Sequence, residues 1–459
     1  MIDEKTLAGL SWPEAPKILV EPPGPKSREI LKKQADWESS AVSYSRGMPM
    51  AIARGKGATI EDADGNIYID MFGGAGVMAV GHAHPEVLEA AHRQIDKATH
   101  TLDIPSETRE ELVETLRGLL PAELSRIFFG GPTGSDAVEQ ALKLAKWNTG
   151  RNGIIAFEGG YHGMTGASLA LTTDSGHRDG VGQLVPDVHF VPYDYTYRQP
   201  FGCPDTESDL YAAAWLDRVL SDSHSGISKP AAVIIEAIQG EGGSIVPNPR
   251  FLRNIREITR RHDVLLICDE IQCGLGRTGK MFAFEYSGIV PDIVTMSKAL
   301  GGVGFPISAI AYRESLNTWP AGKTIGTFRG NMVAFAAGNA ALKFMVREEI
   351  PARAAALGEK VLSGLKEIEK KSSIVGEARG IGLMMGIEMV KDKKTKEPAP
   401  EYAKKVRSYA HRKGVMIEVG GHHNNVARLL PPLVIPEELA LKGVAIIGEV
   451  IEQIEREAT

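Results

Sequence analysis

The chain has only three cysteines, Cys203, Cys268 and Cys273, an odd number in no metal-like spacing. Neither a disulfide framework nor a cysteine metal site is expected of it. Long apolar runs are missing as well: no stretch of about 18 uncharged apolar residues is present to span a bilayer. The first thirty residues, MIDEKTLAGLSWPEAPKILVEPPGPKSREI, lack the apolar core and small-residue cleavage site of a secretory signal. These absences point to a cytoplasmic protein without a membrane partner. Charge of one sign is also scarce, with 52 basic against 58 acidic residues and no basic block, which argues against nucleic acid and for small-molecule partners. His82 with His84, and His422 with His423, lack a third ligand at useful spacing, so no metal is expected.

What the chain has in abundance is glycine. The 50 glycines gather in short loops after apolar runs, at 73–76, 130–131, 159–160, 240–243 and 274–279. Glycine just past a strand commonly marks backbone lying close to something bound. Around Asp64-Gly65-Asn66 two short apolar runs are separated as a hairpin turn would separate them. From about 85 to 330, helical stretches such as PEVLEAAHRQIDKA alternate with the runs RIFF, GIIAF, HFVPY, AAVIIE, VLLICDE and DIVTMS. That alternation predicts a parallel α/β sheet. Beyond about 340, a long helical stretch, the run LMMGIEMV, a charged loop KDKKTKEPAP, a further helix, VARLLPPLVI and a C-terminal helix predict a smaller α+β domain. The expected division is an N-terminal arm and small-domain segment over 1–70, a large domain over 71–335 and a small domain over 336–459.

In open α/β sheets ligands bind at the carboxyl ends of the strands. After RIFF, glycines lead into a helix opening on Thr133-x-x-Asp136, the spacing of a capping box. Its N-terminus offers free N–H groups to a phosphate, and it also reads as an ordinary capped helix. Asp269-Glu270 ends the run VLLIC, where buried charge must be paired or used. Ser297-Lys298 ends the run DIVTM, where partial desolvation disfavours the ammonium form of a lysine. A surface lysine is the plain alternative. The convergence of a phosphate-shaped loop, a carboxylate and a lysine at one sheet edge matches what pyridoxal phosphate requires. The G-x-G-x-x-G spelled by Gly274, Gly276 and Gly279 competes only weakly, because KMFAFEYSG follows it rather than an apolar helix.

The stretch DEIQCGLGRTGKMFAFEYSGIVPDIVTMSKALGG resembles the signature region of the class III aminotransferases. The resemblance extends through DADGNIYID, GHAHP, PTGSDAVEQALKLAK, YHGMTGASLA, EAIQGEGG, GTFRGN, ARGIGLMMGIE and RLLPPLVI, covering nearly all of the chain beyond about residue 40. It implies the α/β fold type I architecture: a large domain with a mainly parallel seven-stranded sheet, and a small α+β domain from the N- and C-terminal segments. It also implies a homodimer with shared active sites, which could pair into a tetramer. By this resemblance Lys298 carries the pyridoxal 5'-phosphate and moves the proton, while Asp269 pairs with the pyridine nitrogen. Gly134 and Ser135 hold the phosphate, with Thr327 of the partner subunit. Tyr161 stacks on the ring with His162 beside it, Gln272 lies near the ring hydroxyl, and Glu236 ends its strand in the same site. Arg428 grips the carboxylate of glutamate or 2-oxoglutarate, and Glu241 neutralises it when the substrate lacks that group. Arg428 also reads as a packing ion pair.

Within the class, GGPTGSDAVEQALKLAK, YDYTYRQPFG, GTFRGN and AAVIIEAIQGEGG look most like the 2,4-diaminobutyrate:2-oxoglutarate transaminases. Ala237 and Gly131-Pro132-Thr133 depart from the wider class in the same way. The implied activity moves the terminal amine of a diamino or ω-amino acid to 2-oxoglutarate, giving a semialdehyde and glutamate. A broad amine:pyruvate transaminase and a racemase or epimerase with the same cofactor residues stay open.

Overall fold

The computed structural model describes residues 2–458. The chain divides into two compact units, Glu86–Phe344 and the pair of segments Met1–Pro85 with Met345–Thr459. The divisions at 85/86 and 344/345 stand beside the expected 70/71 and 335/336.

In chain order the strands are β1 (Ile52–Lys56), β2 (Thr59–Asp62), β3 (Ile67–Asp70), β4 (Arg126–Phe129), β5 (Ile154–Phe157), β6 (Val188–Val191), β7 (Ala232–Glu236), β8 (Leu265–Asp269), β9 (Ile293–Met296) and β10 (Ala309–Tyr312). They continue as β11 (Val375–Ile381), β12 (Met384–Asp392), β13 (Glu397–Pro398), β14 (Val415–Met416), β15 (Glu418–Gly420) and β16 (Val426–Leu429).

The continuous segment folds around a seven-stranded sheet in the order β4-β10-β9-β8-β7-β5-β6. Neighbours pair in parallel except at β10, which runs antiparallel to both β4 and β9. Every residue of β5, β7 and β9 is buried, as expected where helices cover both faces and the strands read as unbroken Val/Ile/Ala runs rather than alternating ones. All six sequence-expected runs become strands of this sheet, and β10, the antiparallel strand between β4 and β9, is the seventh.

Helix boundaries follow local chemistry. The helix Gly134–Thr149 starts on the Thr133/Asp136 capping box and stops at Gly150 in the left-handed region, φ 68°. The helix Pro249–Arg261 has Asn248 as N-cap, Pro249 at its start and Arg260 and Arg261 at its end, where cations favour the dipole.

In the other unit β1, β2, β3 and β14 form a four-stranded sheet. The Asp64-Gly65-Asn66 turn joins β2 to β3 as expected, with Gly65 N donating to Asp62 O and Asp62 N to Asn66 O. A second, antiparallel sheet runs β11-β12-β16-β15, with β13 on β12. The charged KDKKTKEPAP loop is therefore a turn that comes back on itself, tied by Asp392 accepting from Lys394 N and Thr395 N. Helices Ile350–Lys371 and Glu437–Ala458 pack together beside β11. Among the described residues no helix is long and apolar enough to cross a membrane.

Candidate active site

The carboxyl ends of β4, β5, β7, β8 and β9 carry nine of the singled-out residues: Gly134 and Ser135, Tyr161 and His162, Glu236 and Glu241, Asp269 and Gln272, and Lys298. The sheet places these ends on one edge, since the five strands run the same way. Asp269 is buried, 3% exposed. Its Oδ2 meets His162 Nδ1 at 2.8 Å, and its Oδ1 accepts from Thr295 Oγ1 at 2.9 Å and Ile271 N at 3.1 Å. Burial pushes His162 toward neutrality, but the hydrogen bond and charge of Asp269, with the charge of Glu236, outweigh it and hold its pKa above the usual histidine value. The buried carboxyl is thereby held in one orientation by three partners. Thr295 escaped the sequence reading; its signal is a lone hydroxyl within the apolar run of β9, opposite Asp269 in the parallel register.

Glu236 is also buried, which raises its pKa, while His162 and two backbone N–H groups pull it back. Those donors are Tyr161 N at 2.9 Å and Gly240 N at 2.8 Å. One carboxylate thus ties the loop after β5 to the turn after its own strand. A Cβ at Gly240 would fall 2.0 Å from Gln272 Oε1, so the turn must be glycine for Gln272 to lie where it does. The turn closes through Gly243 N and Ser244 N on Gly240 O, presenting Glu241 half-buried. Ser135 Oγ accepts from Met164 N at 3.2 Å, and a Cβ at Gly163 would meet that Oγ at 2.2 Å.

Lys298 follows β9 with φ 42°, a left-handed conformation in a non-glycine residue, at the start of a short 3₁₀ turn. Such strain persists where the surroundings impose it and clusters at functional sites. Here Ser297 Oγ anchors the bend by donating to Ile307 O at 2.8 Å. Glu270, beside Asp269, faces away into the GLGRTG region and accepts from Ala283 N and Phe284 N. Burial pushes its pKa up to about 8 against those two donors. No long helix follows GLGRTG, only the short turn Ala283–Ser287.

Thr327 lies in the same unit but is exposed, opening a short turn whose neighbours Ile325 and Phe328 are 78% and 70% exposed. Arg428 belongs to the other unit, fully buried on β16, with Glu418 Oε2 3.6 Å from its Nη1. Elsewhere in that unit, His82 Nε2 meets Asp70 Oδ2 at 2.8 Å, so this histidine of the H-x-H has a carboxylate partner. Among the described residues no group of three or more His, Cys, Asp or Glu could hold a metal ion.

The donor set fits pyridoxal phosphate. A buried carboxyl hydrogen-bonded to a histidine suits a pyridine nitrogen, a lysine suits its aldehyde, and the capped start of the helix Gly134–Thr149 suits its phosphate. A Cβ at Gly134 would stand 3.1 Å from Ile271, so the helix start lies close against the loop that follows Asp269.

Comparison with known proteins agrees with this reading. The family model described as aminotransferase class-III matches residues 40–451. A diaminobutyrate–2-oxoglutarate aminotransferase of Rhizobium meliloti is 43% identical over 418 residues, covering 89% of each chain. One of Haemophilus influenzae is 41% identical over 413 residues, covering 88% of this chain and 90% of its own. The PLP-bound form of an amine transaminase from an uncultivated Pseudomonas species superimposes with a TM-score of 0.83 at 29% identity, over 92% of this chain and 98% of its own. A pyridoxal-phosphate donor set on a fold type I sheet, matched by one family model over most of the chain, places this protein among the class III aminotransferases.

Proposed function

We propose that the protein transfers the terminal amino group of 2,4-diaminobutyrate to 2-oxoglutarate, giving the semialdehyde and glutamate. The observation that carries the chemistry is the gathering of Asp269, His162, Glu236, Gln272 and Lys298 at the carboxyl ends of neighbouring parallel strands. The choice of substrates is supported by relatives of that name at 38–43% identity over about nine tenths of the chain.

When bound, pyridoxal phosphate supplies an electron sink for the carbon that loses its proton. Lys298 would hold the cofactor through Nζ and would act as the general base for the proton of the donor carbon. Asp269 would pair with the pyridine nitrogen, and His162 with Thr295 holds the Asp269 carboxyl oriented. Gly134 and Ser135 would bind the phosphate at the helix start, with Tyr161 to stack on the ring and Gln272 near its hydroxyl. Arg428 takes the carboxylate of 2-oxoglutarate, and Glu241 neutralises it in the donor half of the cycle.

The protein acts as a cytoplasmic homodimer in this reading. The exposure of Thr327 between the bare side chains of Ile325 and Phe328 supports a subunit contact there, and three free cysteines suit a reducing compartment. The test is a panel of amino donors against both keto acids. Glutamate from 2,4-diaminobutyrate and 2-oxoglutarate supports the proposal. No glutamate, or alanine formed faster from pyruvate, rejects the substrate assignment, and loss of chirality from one amino acid without any keto acid identifies a racemase.

A further inference from the structure

The loop that carries Thr327 is braced from within. Arg329, 6% exposed, turns its guanidinium back across the loop, donating from Nη1 to Thr324 O at 2.6 Å and from Nη2 to Thr324 Oγ1 at 2.9 Å. One planar fork thus grips two acceptors of the same residue, a geometry that a lysine does not reproduce. The guanidinium lies over the ring of Phe128 on β4, with Cζ 4.7 Å from the centroid. Gly326 makes room for it, since a Cβ there would fall 2.8 Å from Nε. Thr327 stands exposed between the two tied ends. The foot of the loop is fastened in turn to the helix Gly134–Thr149, whose start is the phosphate site. Thr324 Oγ1 donates to Gln140 Oε1 at 2.7 Å, Lys143 Nζ donates to Lys323 O at 2.9 Å, and Lys323 Nζ stands 4.2 Å from the ring centroid of Trp147. Gln140, Lys143 and Trp147 share one face of that helix at i, i+3 and i+7.

We propose that Arg329 is a positioning residue for the cofactor: it holds the loop Thr324–Arg329 in shape, so that Thr327 is already in place for the cofactor phosphate bound in the other subunit. This rests on the homodimer with shared sites proposed above. Fixing an exposed loop costs conformational entropy. The brace meets that cost before the cofactor arrives, and a preformed hydroxyl then holds the phosphate longer than a wandering one. Because the brace shapes its own subunit's loop while the phosphate belongs to the other, the loss of Arg329 weakens the site of the subunit that still has it.

The test is the release of pyridoxal phosphate from the holoenzyme, followed by decay of the visible cofactor band after dilution. Arg329→Met and Arg329→Lys both release it about tenfold faster than wild type, the size of one lost hydrogen bond to a charged group. A wild-type rate in Arg329→Lys overturns the brace, since charge alone then suffices, and this variant decides if Arg329→Met fails to fold. Two heterodimers, each with one Lys298 replaced by alanine, show which site is affected. With Arg329→Met and Lys298→Ala on the same chain and the partner wild type, the site that keeps its lysine faces the unbraced loop and releases fast. With the two substitutions on different chains, that site faces a braced loop and releases at the wild-type rate. The reverse pattern, or equal rates in both, overturns the proposal. Thr327→Val separates it from the reading beneath it. If Thr327→Val leaves release unchanged, Thr327 serves no phosphate and the shared site fails with it. If Thr327→Val speeds release while Arg329→Met does not, only the brace fails.

Discussion

At the scale of single residues, the centre of the account is the buried pair His162 and Asp269. The folded pKa of His162 is raised, so the pair's contribution to stability is complete below the unfolded histidine value, about 6.5, and is lost as pH rises through the folded value. Thermal unfolding of wild type and His162→Gln from pH 6 to 9 should therefore show a stability gap that narrows with rising pH. A gap that widens would contradict the charged pair. Asp269 and Lys298 were legible in the sequence because a charge directly after an apolar run demands an explanation. Thr295 and Glu418 were not: a hydroxyl within a strand and a glutamate in a short strand look ordinary until register sets them opposite Asp269 and Arg428. Sequence spacing has no access to cross-strand register.

At the scale of elements, the strands of the large sheet were legible because burial on both faces leaves unbroken apolar runs, and the helix after β4 because its capping box is local in sequence. β14 and β15 were not, since two or three residues carry no period of their own. A stack of Tyr68 on β3 against His411 at the end of the helix Pro400–Arg412 joins two of the elements in the smaller unit, with ring centroids 5.0 Å apart. Burial pushes His411 down to about 4. Its folded pKa lies below the unfolded value, so the stability it contributes is present above pH 6.5 and is lost as pH falls through 4, by about 3 kcal/mol at most. Acid unfolding followed by circular dichroism should show a shallower loss between pH 6.5 and 4 in His411→Phe than in wild type. An equally steep limb in both would remove His411 from the acid response.

At the scale of the whole molecule, the proposed homodimer makes a sharp statement about Thr327: it serves the phosphate of the partner subunit rather than its own. Lys298→Ala and Thr327→Glu, each inactive alone, should complement on mixing and refolding, because a heterodimer then gathers both defects in one site and leaves the other intact. Random pairing puts about a quarter of wild-type activity in the mixture. No recovery in a mixture shown to contain heterodimers would place Thr327 in its own subunit's site, or outside any site. The most direct measurement for the central claim is glutamate formation from 2,4-diaminobutyrate and 2-oxoglutarate by wild type and Lys298→Ala, read beside the visible cofactor band. Wild type should give glutamate and a visible band, with both lost in Lys298→Ala. Full turnover by Lys298→Ala would contradict it.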